Sequence, residues 1–345
     1  MTIAGTVQGA PIQYSFADLG TFGGTISIAA GINEKGQVTG FASTKNNAQS
    51  RAFLYDGTLH DIGTFGGSTT QGNGINNKGQ IAGVGTTIGD QSIIAFFYDG
   101  TKHDIGSLGG FLTEPFGIND AGQITGRGDT SGSTVHHAFL YDGTMHDLGT
   151  LGGTASDGTA INSYGVITGS STTKDNFTHA FIYDGALHDI GTISGNFSEG
   201  LAINDFGHVV GSSSSAALFV PHGFFYDGTM HDIGSLGGGQ SRPQGINNHD
   251  QIVGWSTIAR TDDQHAFIYY QGSMTDLNTF INPATGWVLT QATGINEKGQ
   301  ICGIGTIGGQ QHAFLLSPVP EPSTIALGGL ALVGFARRRT AQLRG

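Results

Sequence analysis

The stretch HAFLYDGTMHDLGTLGG, residues 137–153, contains a hairpin signal and recurs in near-copies along almost the whole chain. At its centre Asp142 and Gly143 separate two segments of strand-forming residues, and Asp-Gly favours a two-residue type I′ turn with positive φ at both positions. Because both faces of the resulting ribbon carry apolar side chains, it needs a packing partner on each side. The predicted strand pairs are Tyr141 with Thr144, Phe139 with His146, His137 with Leu148 and, on the other face, Leu140 with Met145.

Three sequence elements recur with nearly constant spacing, which indicates an architecture of repeats. The Asp of DLG or DIG (DLN in the last copy), the Asn of GIN or AIN, and the Phe of the AF-type element each occur seven times. Successive Asn residues are 43, 43, 43, 42, 43 and 49 positions apart. The positions are Asp18, Asp61, Asp104, Asp147, Asp189, Asp232 and Asp276; Asn33, Asn76, Asn119, Asn162, Asn204, Asn247 and Asn296; and Phe53, Phe96, Phe139, Phe181, Phe224, Phe267 and Phe314.

Each repeat contains a second hairpin signal, seen in GINEKGQVTG at residues 31–40. Asn33 to Gly36 suits a type I turn closed by a left-handed glycine. Four short strands in about 40–45 residues, without helical periodicity, are typical of a β-propeller blade. The predicted fold is therefore all-β, a seven-bladed β-propeller of four-stranded blades. A parallel β-helix is the alternative, although it normally has a shorter period and no paired tight hairpins.

The two ends of the repeat region complement each other. The first unit has a DLG strand at residues 16–20 without a hairpin partner, and the last ends in HAFLL at residues 312–316 without the DLG strand that should follow. We predict that the N-terminal strand pairs with the C-terminal one and closes a ring, which removes two exposed edges. The predicted blades are 25–63, 68–106, 111–149, 154–191, 196–234, 239–278 and 287–316 plus 14–20.

Residue size predicts the strand order within a blade. The segments that lead into GIN are rich in Gly, Ala, Ser and Thr, as at residues 67–75 and 154–161. Blades converge at the axis, so small residues favour GIN as the innermost strand, then GQIxG, HAF and DLG. Both tight turns then share one face. The TLGG linkers and the variable loops 212–222 and 256–264 share the other, where binding is expected because variable loops on rigid scaffolds carry function.

Composition agrees with one repeat domain at residues 11–317, flanked by a disordered N-terminus or leader remnant (1–10) and a tail (318–345). The chain has 345 residues, 60 of them Gly, and only 12% are charged. The net charge of −12 argues against nucleic-acid binding, because an acidic body repels phosphates. The single cysteine, Cys302, excludes an intramolecular disulfide and is expected to be a small, partly buried filler.

Ten of the thirteen histidines fall in two repeat columns, which invites a metal-site interpretation. A catalytic metal needs one convergent site, whereas these columns recur in most repeats, so we favour structural hydrogen bonding and predict no metal, no cofactor and no catalytic residue. We expect His146 to bond a neighbouring strand or blade, and Asp147 to fix a turn. The columns are His137, His179, His222, His265 and His312, and His60, His103, His146, His188 and His231.

The tail differs in kind from the repeats. It begins with Pro320, Glu321 and Pro322, continues with an apolar run at residues 325–336, and ends with Arg337, Arg338 and Arg339. As a helix this run would span about 18 Å, too short for a hydrocarbon core of about 30 Å. The pattern predicts a short helix that acts as a sorting or processing signal and inserts transiently into the inner membrane, with the arginines on the cytoplasmic side.

On these residues the tail resembles the PEP-CTERM sorting signal. The repeats resemble the HAF family of bacterial extracellular repeat proteins, as in the triplet His137-Ala138-Phe139, and the long seventh unit, residues 276–296, resembles that family's closing repeat. The resemblance implies export from a Gram-negative bacterium, recognition by an exosortase-type membrane protease, and a destination at the cell surface or in an exopolysaccharide matrix. It implies no activity. Residues 1–10 lack the basic region and apolar core of a signal peptide, so we expect that the true start lies upstream, or else that this copy is not exported.

Two function classes follow. The favoured one is a non-enzymatic surface or matrix protein whose loop face binds a glycan or another protein. Trp255 and Trp287 are candidates for stacking on a sugar, with blade packing as the alternative role. The second class is a secreted hydrolase or lyase with a site at the mouth of the central channel, since fold alone does not decide function.

Overall fold

The computed structural model describes residues 13–214, 221–261 and 263–319 and is all-β. Helix in these residues is limited to the 3₁₀ turns Lys45–Asn47, Ile88–Asp90, Leu277–Phe280 and Pro283–Thr285. The repeats are rich in Gly and in β-forming residues, and their apolar residues recur with a period of two. They therefore lack the apolar stripe that a longer helix would need for packing. The predicted tail helix and the N-terminal residues 1–10 lie outside the described residues.

The strands group into antiparallel sets of four, numbered I to VII below. Sets III to VI are separate four-stranded sheets, whereas sets VII, I and II are linked into one twelve-stranded sheet by the parallel pairs Ile26 with Gln311 and Ser50 with Thr69. Set I is β2 (Gly23–Ile32), β3 (Val38–Thr44), β4 (Ser50–Tyr55) and β5 (Leu59–Asp61); set II is β6 (Gly66–Ile75), β7 (Ile81–Thr87), β8 (Ile93–Tyr98) and β9 (Lys102–Asp104); set III is β10 (Gly109–Ile118), β11 (Ile124–Thr130), β12 (His136–Tyr141) and β13 (Met145–Asp147); set IV is β14 (Gly152–Ile161), β15 (Ile167–Thr173), β16 (Thr178–Tyr183) and β17 (Leu187–Asp189). Set V is β18 (Ser198–Ile203), β19 (Val209–Ser214), β20 (Pro221–Tyr226) and β21 (Met230–Asp232); set VI is β22 (Gly237–Ile246), β23 (Ile252–Ile258), β24 (Gln264–Tyr270) and β25 (Ser273–Asp276); set VII is β26 (Trp287–Ile295), β27 (Ile301–Ile307), β28 (Gln310–Val319) and β1 (Gln13–Asp18).

Within each set the strand order follows the order predicted from residue size. The GIN strand lies at one edge and the DLG strand at the other, as in β10-β11-β12-β13. In set VII the DLG strand is β1, which pairs with β28 over six residue pairs from Gln13 opposite Val319 to Asp18 opposite Phe314. Repeated four-stranded antiparallel sheets that pack face to face give the molecule a β-propeller-like fold.

The turn after each GIN element has the predicted form. In set I the amide of Gly36 donates to the carbonyl oxygen of Asn33 over 3.0 Å, and Gly36 has a φ of +77°. A side chain with a β-carbon is disfavoured at such a φ, which explains the glycine. The side-chain Oδ1 of Asn33 also accepts the amides of Lys35 and Gln37, so the asparagine holds the turn together.

The Asp-Gly hairpin differs from the prediction by one residue of register. Phe139 lies opposite Asp147, Leu140 opposite His146, and Tyr141 opposite Met145. The loop therefore contains three residues, and of the Asp-Gly pair only Gly143 has a positive φ, +110°. The added residue is stabilised by the Asp142 carboxylate, whose Oδ1 accepts from the Thr144 hydroxyl at 3.1 Å and from the His146 ring at 2.9 Å.

The core lies between neighbouring sets. The phenylalanine of each AF-type element is fully buried, and these side chains are Phe53, Phe96, Phe139, Phe181, Phe224, Phe267 and Phe314. Phe139 packs with Ile105 of the chain after set II and with Ile118 of β10, so each cluster joins two units. Close strand approach explains the glycine of GQIxG, because a β-carbon on Gly126 would lie 2.0 Å from the carbonyl oxygen of Glu114.

Cys302 is more deeply buried than the sequence predicted, with no exposed surface. Burial raises the pKa of its thiol to about 12, which leaves almost no reactive thiolate at neutral pH. We expect a thiol reagent to label the native chain at least 100-fold more slowly than the chain in denaturant. Mass spectrometry of a labelling time course measures this, and equal rates in the two states would contradict the burial.

Candidate functional site

The inner strands end at a ring of asparagines. The Nδ2 atom of each GIN asparagine donates to the backbone oxygen of the asparagine in the next set, over 2.9 to 3.2 Å. The bonds run from Asn33 to Asn76, Asn119, Asn162, Asn204, Asn247 and Asn296, and the last returns from Asn296 to Asn33. These side chains are buried and fully used in structure, so they are poor candidates for ligand binding.

A shallow cavity of about 250 Å³ lies at this asparagine ring. The residues after the asparagines give it a polar rim that includes four carboxylates, and the rim residues are Glu34, Asn77, Asp120, Ser163, Asp205, Asn248 and Glu297. Most rim oxygens accept a backbone amide of the neighbouring set, as when the Asn77 amide donates to Asp120 over 2.7 Å. The rim carboxylates are thus engaged in joining the sets.

A larger chamber of about 510 Å³ lies further along the inner strands. Its volume is within the range of small-molecule sites, roughly 300–1,000 Å³. Its wall combines amides, hydroxyls and one carboxylate with apolar groups: Gln71, Asn73, Glu114, Thr159, Gln244, Gln291 and Thr293, and Ile28, Ala29, Ala30, Val84, Phe116, Leu201 and Ile304. A wall of this composition can hold the apolar and the polar faces of an organic ligand at once.

Charge is concentrated on one side of the inner strands, at the level of this chamber. Five residues before the turn asparagine, sets III to VI carry Glu114, Asp157, Glu199 and Arg242, whereas sets VII, I and II carry Gln291, Ile28 and Gln71. Identical repeats would place the same group in every set, so this difference breaks the repeat symmetry. The inner strands therefore have a charged side and an uncharged side at this level.

Ion pairs connect these charged residues from set to set. Arg127 donates through Nε to Oε2 of Glu114 over 2.6 Å, and its Nη1 lies 3.7 Å from Oδ1 of Asp157. Arg242 pairs with Glu199 over 2.9 Å. Buried polar atoms are normally hydrogen-bonded, yet among the described residues Asp157 Oδ1 and the Nε of Arg242 have no hydrogen-bond partner. Both atoms are enclosed by protein: Asp157 Oδ1 also lies 3.4 Å from Nε2 of His136, and of this charged network only Glu114 lines the chamber.

Burial raises the pKa of Glu199; Arg242 opposes this shift, and the charge of Asp157 adds to it. A raised folded-state pKa means that the carboxyl stabilises the fold fully below its unfolded value, about 4.3, and that this contribution is lost as pH rises through the folded value. As pH rises from the unfolded pKa through the folded pKa, we expect the thermal midpoint of the wild type to fall relative to that of the Glu199→Gln variant. Paired melting curves at stepped pH measure it, and a wild type that gains on the variant with rising pH would contradict it.

The first histidine column joins the third and fourth strands of a set. Each Nδ1 bonds the carboxylate of the DLG or DLN aspartate, at 2.6 to 3.1 Å: His137 with Asp147, His179 with Asp189, His222 with Asp232, His265 with Asp276, and His312 with Asp18. Asp147 also accepts the Gly149 amide at 2.8 Å, which confirms that it fixes a turn.

The second column bonds its own hairpin, so the prediction that His146 reaches a neighbouring strand or blade is wrong. The one-residue register shift places its Nε2 2.9 Å from Oδ1 of Asp142, and this bond lowers the pKa of Asp142. The equivalent pairs are His60 with Asp56, His103 with Asp99, His188 with Asp184, and His231 with Asp227. Within the described ranges, no three His, Cys, Asp or Glu side chains lie close enough together to hold a metal ion.

The two tryptophans lie in different environments. Trp255 is half-buried on β23, paired across the strands with Arg242 of the charged network. Trp287 is 9% exposed and packs edge-on against Phe16 with ring centroids 4.9 Å apart. The sorting residues Pro320, Glu321, Pro322, Arg337, Arg338 and Arg339 lie outside the described residues. Over the stretch that the structure does describe, no helix has the length and hydropathy needed to span a membrane.

Comparison with known sequences identifies the tail. Residues 318–339 match the PEP-CTERM protein-sorting motif, which confirms the predicted sorting signal. This motif is the recognition signal for exosortase processing and implies export to the cell envelope or surface of a Gram-negative bacterium. No curated protein sequence matches the chain.

Several solved structures share part of the fold at very low sequence identity. TolB from Acinetobacter baumannii is 12% identical, with a TM-score of 0.49 over 83% of this chain, which spans 64% of TolB. A mutant of AofleA from Arthrobotrys oligospora is 9% identical, with a TM-score of 0.40 over 79% of this chain and 92% of its own. Trypanosoma rangeli sialidase is 8% identical, with a TM-score of 0.39 over 93% of this chain and 58% of its own.

Proposed function

We propose that this chain is a non-enzymatic binding protein of the cell surface or exopolysaccharide matrix, built on a closed seven-bladed propeller that holds a glycan in its central chamber. An exosortase-type membrane protease would cleave it through the tail. The HAF-type triplets support membership of the HAF-repeat family, whose extracellular location agrees with this role.

Ring closure is supported by contacts between the two ends of the repeat region. β1 pairs with β28, and the Asn296 amide donates to the oxygen of Asn33, 263 residues away. Leu19, Cys302 and Ala313 pack with Phe53 of set I in one buried cluster. Four strands per set and seven sets would make every blade equivalent in backbone, with β1 as the outer strand of the seventh.

The observation that carries the binding role is the asymmetric charge network, which reaches the wall of the chamber at Glu114. Carboxylates, guanidinium groups and amides donate to or accept from sugar hydroxyls, and the apolar side, with Ile28 and Val84, can contact the C–H face of a sugar ring. Trp255, half-buried beside Arg242, is better exposed for stacking than Trp287. The purely structural requirements of the repeat would be met by the same neutral side chain in every set.

An enzymatic role is the second candidate, favoured by one observation. Burial raises the pKa of Glu199, and the charge of Asp157 adds to that shift, so two carboxyl groups of neighbouring sets interact. Glycoside hydrolysis usually uses a pair of carboxyl groups. A hydrolase or lyase at the channel is therefore the alternative to test.

The test uses the purified chain on a glycan array and on a panel of chromogenic glycosides. We expect saturable binding to one glycan class without turnover, and at least tenfold weaker binding for Glu114→Gln and Arg242→Gln. His146→Gln, which alters an exposed outer hairpin, is the matched control and should bind as the wild type does. Turnover that Glu199→Gln abolishes would support the enzyme instead, and neither binding nor turnover would overturn the proposed role.

A further inference from the structure

A second cavity, of about 310 Å³, lies on the tight-turn face of set VI, beside set V. Aromatic side chains form much of its wall: Phe225, half-buried Tyr269, and Tyr270, which is 41% exposed. The polar groups of the wall come from His249 and Asp250 in the first turn of set VI and from Gln271 in its second turn. His249 also pairs with Glu297 over 3.1 Å. The cavity is separate from the central chamber, with which it shares no lining residue.

The residues of this cavity depart from the repeat at several positions together. Asp250 stands where the other turns have Gly36, Gly79, Gly122, Gly165, Gly207 and Gly299. It keeps the left-handed backbone of those glycines, with a φ of +55°, a conformation that disfavours residues with a side chain. Aspartate tolerates this region better than most residues, but glycine fits it at less cost, so the exchange distinguishes this turn from the other six.

A matching change lies in the preceding set. His208 stands where Gln37 and most equivalents carry glutamine, and its Nδ1 bonds Oδ1 of Asp250 over 2.8 Å. Oδ1 also accepts from Nδ2 of Asn204 over 2.9 Å. Both bonds involve the same oxygen, so the carboxylate is fixed in orientation while Oδ2 remains able to accept a bond from a ligand.

The second turn of set VI changes at the same place. Where the third strands of sets I to V end in Tyr-Asp-Gly, this one reads Tyr269-Tyr270-Gln271-Gly272. Gln271 and Gly272 form a two-residue turn with φ of +50° and +80°, and Tyr270 pairs with Ser273. The carboxylate that elsewhere bonds the hairpin histidine is thus replaced by an exposed phenol ring beside the cavity.

We propose that this cavity binds one pyranose ring of a neutral sugar. Aromatic faces suit the C–H surface of a sugar, and the tyrosine hydroxyls, the Gln271 amide and Oδ2 of Asp250 can pair with its hydroxyls. A cationic ligand is less favoured, because His208 already faces the Asp250 charge. The choice of a sugar as the ligand rests on the proposed function, whereas the existence of a binding site in this cavity does not.

The test is isothermal titration of the full chain with free D-glucose, D-galactose, D-mannose, L-rhamnose and N-acetylglucosamine. We expect one of these sugars to bind the wild-type chain. The same sugar should bind the Asp250→Gly and Tyr270→Asp variants at least tenfold more weakly. Asp250→Gly restores the glycine of the other six turns and Tyr270→Asp the aspartate of sets I to V, so a folding defect is not expected. The matched control, Tyr141→Ala in set III, should leave the affinity unchanged.

The failure of this proposal is distinguishable from that of the proposed function. Sugar binding that survives Asp250→Gly and Tyr270→Asp, yet is lost in Glu114→Gln, would assign the ligand to the chamber and overturn the second site. Binding of tetramethylammonium but of no sugar would overturn the ligand class. Loss of binding in the two set VI variants, with array binding through the chamber retained, would establish two independent sites.

Discussion

A chain that lacks residues 1–19, and with them β1, should lose about 5 kcal/mol or more of its free energy of unfolding. The estimate combines the burial of Phe16 and Leu19, about 1.5–3 kcal/mol each, with about 1 kcal/mol for each lost strand hydrogen bond. Leu19 is 4% exposed, and Phe16 packs on Trp287. The loss is comparable to the whole stability of many domains, so the thermal midpoint should fall by roughly 10–20 °C in calorimetry.

A rearranged chain provides the control. Residues 13–19 are moved to follow Val319 through an Asn-Gly linker, which is feasible because Gln13 lies opposite Val319. Both variants lack residues 1–12, so they differ only in whether the strand is present. Recovery of the midpoint in the rearranged chain would establish β1 as the closing strand. A truncated chain as stable as the wild type would remove the basis for the closed ring.

Asn119→Ala, in the asparagine ring, should lower the free energy of unfolding by about 2–4 kcal/mol. The Asn119 side chain is 5% exposed and donates to Asn162 over 3.1 Å. It also accepts the amides of Ala121 and Gln123, which the alanine variant would leave buried without that partner. Asn73→Ala is the matched control: this half-buried side chain makes one bond, to Pro115, and its loss should cost about 1 kcal/mol.

Asn119→Asp separates the bond between sets from the bonds within the turn. The introduced carboxyl can still accept the turn amides, but it donates to the Asn162 oxygen only when protonated. Ionisation removes the only hydrogen that this side chain can donate to Asn162, so we expect the stabilisation to be present at acidic pH and to be lost as the carboxyl ionises. Urea unfolding at stepped pH should show this loss, and a pH-independent difference from wild type would count against the bond between sets.

Much of the fold could be predicted because it is specified locally and many times over. Each repeat carries apolar residues with a period of two, turn residues at fixed offsets and one buried phenylalanine. This pattern indicates all-β sheets of four strands in the observed order. The hairpin register at Asp142 was missed, since Asp-Gly fits both a two-residue and a three-residue loop. The choice depends on the bond between Asp142 and His146, four residues away, which turn statistics do not include.

The candidate sites were harder to predict than the fold. Glu114, Asp157 and Glu199 are unremarkable as residue types in an acidic chain, and nothing local marks them. Their signal is a departure from the aligned repeats, and Asp250 in place of glycine carries the same signal. Departures are common in repeats, however, and the sequence does not tell which of them converge on one cavity.

By itself, the sequence determined where strands begin and turn, which side chains are buried, and that the tail is a sorting signal, because these properties depend on neighbouring residues and on composition. Tertiary structure alone decided which repeats meet and which polar atoms face one another, as when Asn296 bonds Asn33 or Arg127 lies between Glu114 and Asp157. Such contacts depend on the angle between successive sheets and on how the sheets pack against one another. Those quantities arise from the packing of all the repeats together, and no single repeat encodes them.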